Sequence, residues 1–169
     1  MKYLKKYKLF ELNINKDDIS NYHDYSRELI SSKNEHDIQL LIDEYGIDHD
    51  FNGFTLLEHA IIKQSPLKIF KLLIIENGAK LSDTGYGDGN TPLLELSYRY
   101  WDDFLNWRAV VDLMIENGSD ILYQNDDGKS FFDLIHPSCK TVTTDRYKER
   151  FPEKYREYLK NKNTKKFKI

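Results

Sequence analysis

Thr84-Gly85-Tyr86-Gly87-Asp88-Gly89-Asn90 is the segment of this 169-residue chain that most invites a chemical reading, because closely spaced glycines let backbone N–H groups approach an anion. A phosphate loop of that kind follows a buried strand and opens a helix packed on a sheet. Here both flanks read as helices, so the segment predicts a hairpin finger between helix pairs. It also fails as a calcium loop: counted from Asp83, the third and fifth positions are Gly85 and Gly87, and the twelfth is Leu94 rather than a glutamate. His23, His36, His49, His59 and His136 show no metal-ligand spacing, and Glu58-His59 has the wrong order for a zinc-protease motif. Cys139 is the only cysteine, which excludes an internal disulfide and a cysteine-rich metal site. Asp102-Asp103 and Asp126-Asp127 are adjacent pairs whose side chains diverge. The expectation is therefore no catalytic residue, no metal and no cofactor. A nucleotide-binding enzyme built on Gly85–Gly89 is the rival reading.

Binding is better represented than catalysis. Ser97 to Arg108 holds both tryptophans of the chain, Trp101 and Trp107, with Tyr98, Tyr100, Arg99, Asp102 and Asp103. Trp, Tyr and Arg dominate interface hot spots. Two uses stay open for these rings, an exposed binding element or packing of Trp101, Phe104 and Trp107 into the core. Charge is unevenly spread. Residues 1–10 carry four lysines and no acid, and residues 140–169 carry eleven Lys or Arg against four acids. Residues 11–139 then hold ten basic and 24 acidic residues, so the overall −3 conceals a body of net −14 with basic ends. An acidic body repels nucleic acid and attracts a basic partner.

The elements that must position these residues repeat. Glu44-Tyr45-Gly46, Glu76-Asn77-Gly78 and Glu116-Asn117-Gly118 each close an apolar run, and Gly53-Phe-Thr-Leu-Leu, Gly89-Asn-Thr-Pro-Leu and Gly128-Lys-Ser-Phe-Phe each open the next. A period of roughly 33 residues is the mark of a stacked repeat. Asp50-Phe-Asn-Gly53-Phe-Thr55-Leu-Leu57-Glu-His-Ala60 and Tyr86-Gly-Asp-Gly89-Asn-Thr91-Pro92-Leu93-Leu-Glu-Leu96 resemble the ankyrin opening D-x-x-G-x-T-P-L-x-x-A. Ile69 to Ala79 and Val110 to Asp120 resemble that family's second helix and its ending. Glu58 and Leu94 stand where the family carries its histidine, so that hydrogen bond is missing. The resemblance is clear over Asp50 to Leu134. It implies an all-α fold, an ankyrin-repeat solenoid of stacked antiparallel helix pairs with hairpin-like finger loops and terminal capping helices.

Local physics points the same way. Ile69, Phe70, Leu73 and Ile74 make one apolar stripe. Gly78 and Gly118 stand where helices stop, and Thr55, Thr91 and Ser130 stand where a hydroxyl can cap a helix start. Ser65-Pro66 suggests a cap followed by proline in the first helical position. Asn34-Glu35-His36-Asp37 reads as another start. His136-Pro137 should end one helix, and Pro152 should break the closing one. We expect one domain over 1–169: a basic segment 1–16, a divergent cap repeat 17–49, repeats 50–81 and 86–122 with an insert 97–108, a half repeat and C-terminal cap 125–160, and a basic tail 161–169. The basic start has no apolar region and does not read as a secretory signal, and no run approaches the ~20 residues of a membrane span. The cytoplasm is the expected location.

The resemblance implies a surface of finger tips and first helices that binds another protein. The expected contacts are Asp50, Phe51, Asn52, Glu58, Tyr86, Asp88, Tyr98, Tyr100, Trp101, Asp102, Asp103, Trp107, Asp126 and Asp127. The expected partner is a basic protein, bound by a chain that is monomeric when free. The acidity and the resemblance to small bacterial ankyrin proteins suggest an immunity protein that neutralises a toxin. An effector or viral protein engaging a host factor is the alternative.

Overall fold

Asn34 opens the helix that follows it as its sequence requires: its side chain accepts from the His36 amide, and Glu35 and Asp37 place carboxylates in the first turn, where the helix dipole favours them. This computed structural model describes residues 30–31, 33–51, 53–82, 84, 88–99, 101–137 and 139–166. Among them every regular element is helical: α1 (Glu35–Tyr45), α2 (Leu56–Ile62), α3 (Leu67–Lys71), α4 (Pro92–Tyr98), α5 (Phe104–Glu116), α6 (Phe131–Leu134), α7 (Lys140–Arg150) and α8 (Pro152–Lys166). The segment expected at 1–16, residues 17–29 and 32 of the cap repeat expected at 17–49, and Asn52, Tyr86 and Tyr100 lie outside the described residues. Contacts group the chain into two compact units, Met1–Lys80 and Leu81–Ile169.

In the first unit α2 and α3 are neighbours. Ile69, Phe70, Leu73 and Ile74 are buried, as their spacing predicts. The helix does not run evenly, however: α3 passes into a π-helical turn, Leu72–Glu76, which also buries Leu72 and leaves Ile75 exposed. A widened turn shifts the buried face by a residue, and no sequence pattern announces it. Asn77 closes this turn by donating its side-chain amide to the Leu72 carbonyl at 2.9 Å. Gly78 follows at φ 70°, and the Ala79 amide reaches back to the Leu73 carbonyl at 2.9 Å. The start of α3 differs from expectation. Pro66, in extended backbone, precedes the helix, which begins at Leu67.

The second unit ends its long helix in the same way. The Asn117 side chain donates to the Leu113 carbonyl at 2.8 Å, Gly118 takes φ 104°, and the Ser119 amide donates to Met114 at 3.0 Å. Asparagine feeds one orphan carbonyl, and glycine turns the chain so that the next amide reaches another. Here α4 packs on α5 and on α6. α6 starts at Ser130, whose amide and hydroxyl both donate to the Asp133 carboxylate, and it stops before His136-Pro137. The closing helix is broken at Phe151, next to Pro152, giving the paired α7 and α8.

Candidate functional site

The finger loops of the second unit are built from buried amides. Asn90 and Asn125 are buried, and the Asn125 amide donates to the Asn90 side-chain oxygen at 3.0 Å. Asn125 in turn accepts from the Lys129 amide at 2.9 Å, while Asn90 donates to the Asp88 carboxylate at 2.7 Å. The Asp126 amide completes the frame by donating to the Asp88 carbonyl at 3.2 Å. The Asp126 carboxylate lies so near Gly89 that a side-chain carbon added there would meet it at 2.5 Å. Asp88, Asp126 and Asp127 are thus exposed on one cross-linked pair of loops, with Lys129 paired to Asp127 at 3.1 Å.

Beside this frame stands α4, buried from Pro92 to Ser97 and exposed at Tyr98. Glu95 is only 1% exposed, and its carboxylate accepts from the Tyr98 hydroxyl at 2.5 Å and from the Arg99 guanidinium. Arg99 also lies over the Tyr98 ring, 5.7 Å from its centroid. The Tyr98 phenol is pushed up by burial first, and then by its hydrogen bond to Glu95 and the charge of that carboxylate. The negative charge of Asp88 pushes it the same way, which ties the finger electrostatically to the end of α4. Tyr98 is therefore a neutral aromatic donor held in one orientation on the surface.

Several expected contacts have other tasks. Trp107 is 1% exposed; it donates its ring N–H to the Leu96 carbonyl at 2.9 Å and stacks on Phe104 at 5.7 Å. Trp101 is buried as well. Both tryptophans of the insert are therefore buried, Trp107 within α5 and Trp101 ahead of it. Phe51 is buried against His49 and Tyr45, with ring centroids 4.7 and 5.9 Å away. Glu58 is buried too, accepting from the Thr55 amide at 2.6 Å while the Glu58 amide donates to the Thr55 hydroxyl at 3.3 Å. This capping box uses the Glu58 carboxylate within α2. Thr91, expected to cap α4 through its hydroxyl, makes no such bond.

Of the remaining expected contacts, Asp50 is exposed and accepts from the Gly53 amide. Asp103 caps α5 by accepting from the Asn106 amide at 3.0 Å, and Asp102 is exposed beside it. Sequence reasoning missed Glu95, Asp112 and Asp133. Asp112 accepts from Arg146, Tyr147 and Arg150 at 2.7, 2.7 and 2.6 Å, and Asp133 from Tyr158 and Lys162 at 2.8 and 2.7 Å. A readable trace existed in the basic–aromatic pairs Arg146-Tyr147, Arg150-Phe151 and Lys154-Tyr155, four residues apart.

Among the described residues no group of three or more His, Cys, Asp or Glu side chains is placed to hold a metal ion, and no helix is long and apolar enough to cross a membrane. No protein-family model matches the chain, and no curated protein matches it.

Proposed function

We propose that this chain is a non-catalytic protein-binding module, and that the acidic finger frame with Tyr98 takes a basic protein partner. One observation carries the reading: the buried Asn90–Asn125 amide pair holds three exposed carboxylates, Asp88, Asp126 and Asp127, on one rigid frame. Groups ordered before binding lose little freedom on association, so their attraction is not spent on ordering the loops. An exposed aromatic fixed beside clustered charge is the arrangement of a contact hot spot.

The ankyrin-type stack is part of this proposal. Its support is the identical Glu-Asn-Gly ending of the second helix in both units, with an asparagine bonded to a carbonyl five residues back in one and four in the other, and a left-handed glycine in both. The narrower form of the reading is an immunity protein acting in the cytoplasm on a basic toxin. The test is capture of the partner from the native cell, followed by association kinetics across a salt series. Opposite charge mainly accelerates encounter, so association should slow as salt rises while dissociation changes little. An acidic partner, or an association rate indifferent to salt, contradicts the reading.

A further inference from the structure

The C-terminal helices of the second unit are seated on two sets of side chains that serve as rails. One is acidic: Asp112 and Glu116 on α5 and Asp120 just beyond it recur every four residues. The other is aromatic: Phe131 and Phe132 on α6. The segment laid across them matches both, because a cation and an aromatic ring alternate with the same four-residue step. Arg146 binds Asp112, Arg150 binds Asp112 and Glu116, and Lys154 approaches Asp120 at 3.9 Å. The rings that follow the cations face α6 or one another, and the Tyr147 hydroxyl also donates to Asp112. Tyr147 meets Phe131 edge-on at 5.3 Å, Tyr155 meets Phe132 edge-on at 5.1 Å, and Phe151 stacks on Tyr147 at 6.0 Å. Tyr158 and Lys162 finish the seat on Asp133.

What holds this segment differs from what holds its seat. α5 buries five of its 13 residues, Trp107, Val110, Val111, Leu113 and Met114. Over 140–162, among the described side chains, only Thr143, Tyr147 and Tyr158 are buried. Helices of 11 and 15 residues with so little apolar burial do not persist alone in water, so α7 and α8 are folded because they are seated. Three of the polar contacts that seat them, Arg150–Glu116, Lys154–Asp120 and Lys162–Asp133, are exposed ion pairs, individually weak and screened by salt, while those on Asp112 are partly buried. Segments of this kind occupy the low end of a protein's local stability range.

We propose that α7–α8 is a reversible strap, and that when it lifts, a helical segment of the partner carrying the same alternation of cation and aromatic takes its place on the rails. The second half of this inference rests on the basic-partner reading given above, whereas the first half does not. The strap itself defines the occupant: cations at four-residue steps, each followed by a ring. An acidic rail with an aromatic floor selects such a segment over a merely basic coil, because both rails must be met in one register.

Hydrogen exchange on the full chain tests the strap without any partner. Amides of α7 and α8 should exchange at least ~100-fold faster than those of α5, and faster still as salt rises. Asp112→Asn, which keeps the side chain's shape, should speed exchange in the strap by about tenfold and leave α5 unchanged. Strap and α5 exchanging together, in either protein, would overturn the proposal. The seat is then tested with a fluorescent synthetic peptide of residues 140–162 added to the full chain. Saturable binding should weaken at least about tenfold when Arg146, Arg150 and Lys154 of the peptide are replaced by glutamine. Absence of saturable binding, or indifference to those replacements, would overturn the exchange even if the strap lifts.

Discussion

α2 and α4 each carry a buried glutamate, and a shift of one position gives the two carboxylates different work. Glu58 is the third residue of α2, within reach of the Thr55 amide and hydroxyl, and it closes a capping box. Glu95 is the fourth residue of α4, behind Pro92 and with Leu94 in the third place, and Thr91 forms no side-chain cap. Its carboxylate is left facing the end of the helix, where it collects Tyr98 and Arg99. The first glutamate stabilises its own helix start; the second arranges a surface. The lesson is that burial and charge do not define a role until the helix register says which donors lie in reach.

The largest expected effect tests what fixes α4 from behind. Trp107→Ala removes a ring packed at α4 together with its bond to the Leu96 carbonyl, and it should cost ~3–5 kcal/mol in denaturant unfolding. A loss under ~1 kcal/mol would mean that α4 is held by something else. Next come the shared helix endings. Gly78→Val and Gly118→Val should each cost more than ~1 kcal/mol, because both positions take positive φ and a β-branched residue there is strained. Unequal thermal shifts would show that the two units do not end their helices equivalently. Smaller, and closer to the comparison, is the pair Thr55→Val and Thr91→Val. Valine keeps the shape and removes the hydroxyl, so the first should cost about 1 kcal/mol and the second under ~0.5 kcal/mol.

The smallest effect concerns acid. Burial alone would raise the Asp133 carboxyl, but hydrogen bonds from Lys162, Tyr158 and Ser130 outweigh it and hold it below its ordinary value. A depressed carboxylate stabilises the folded form at every pH above its unfolded value near 4, and that stabilisation is lost as pH falls through the lowered folded value. The seat of α8 on Asp133 should therefore stay intact down to about pH 4 and loosen below it. Near-ultraviolet circular dichroism of the tyrosines follows this; loosening near pH 6 would assign the transition to other groups.

Much of this architecture was readable where a single residue type settles a local question. Asn34 and Ser130 start helices, Gly78 and Gly118 end them, and the chain breaks at Pro152, because caps and stops depend on neighbours within four or five residues. The exposed acids of the fingers were also legible as a charge bias. Three things were not. The π-helical turn at Leu72–Glu76 follows the same leucine–isoleucine pattern as an ordinary helix. Trp101 and Trp107 are of a residue type equally at home in a core and in an interface, and only the Leu96 carbonyl behind Trp107 settles its place. The rails beneath the strap join residues 34 to 38 positions apart, so their complementarity appears only once α5 and α7 lie side by side.

The contrast between Glu58 and Glu95 is tested most directly by replacing each with methionine, an unbranched apolar side chain that can fill either buried site. Unfolding free energy and affinity for the captured partner are read on both proteins. Glu58→Met should lose about 1 kcal/mol of stability with its capping box and bind the partner unchanged. Glu95→Met should keep its stability within ~0.5 kcal/mol, since a buried charge is exchanged for apolar packing while Tyr98 and the partly exposed Arg99 can turn to water, and it should bind about tenfold more weakly because those two side chains are no longer held. Equal binding by the two variants, or weakened binding in Glu58→Met alone, would contradict the account.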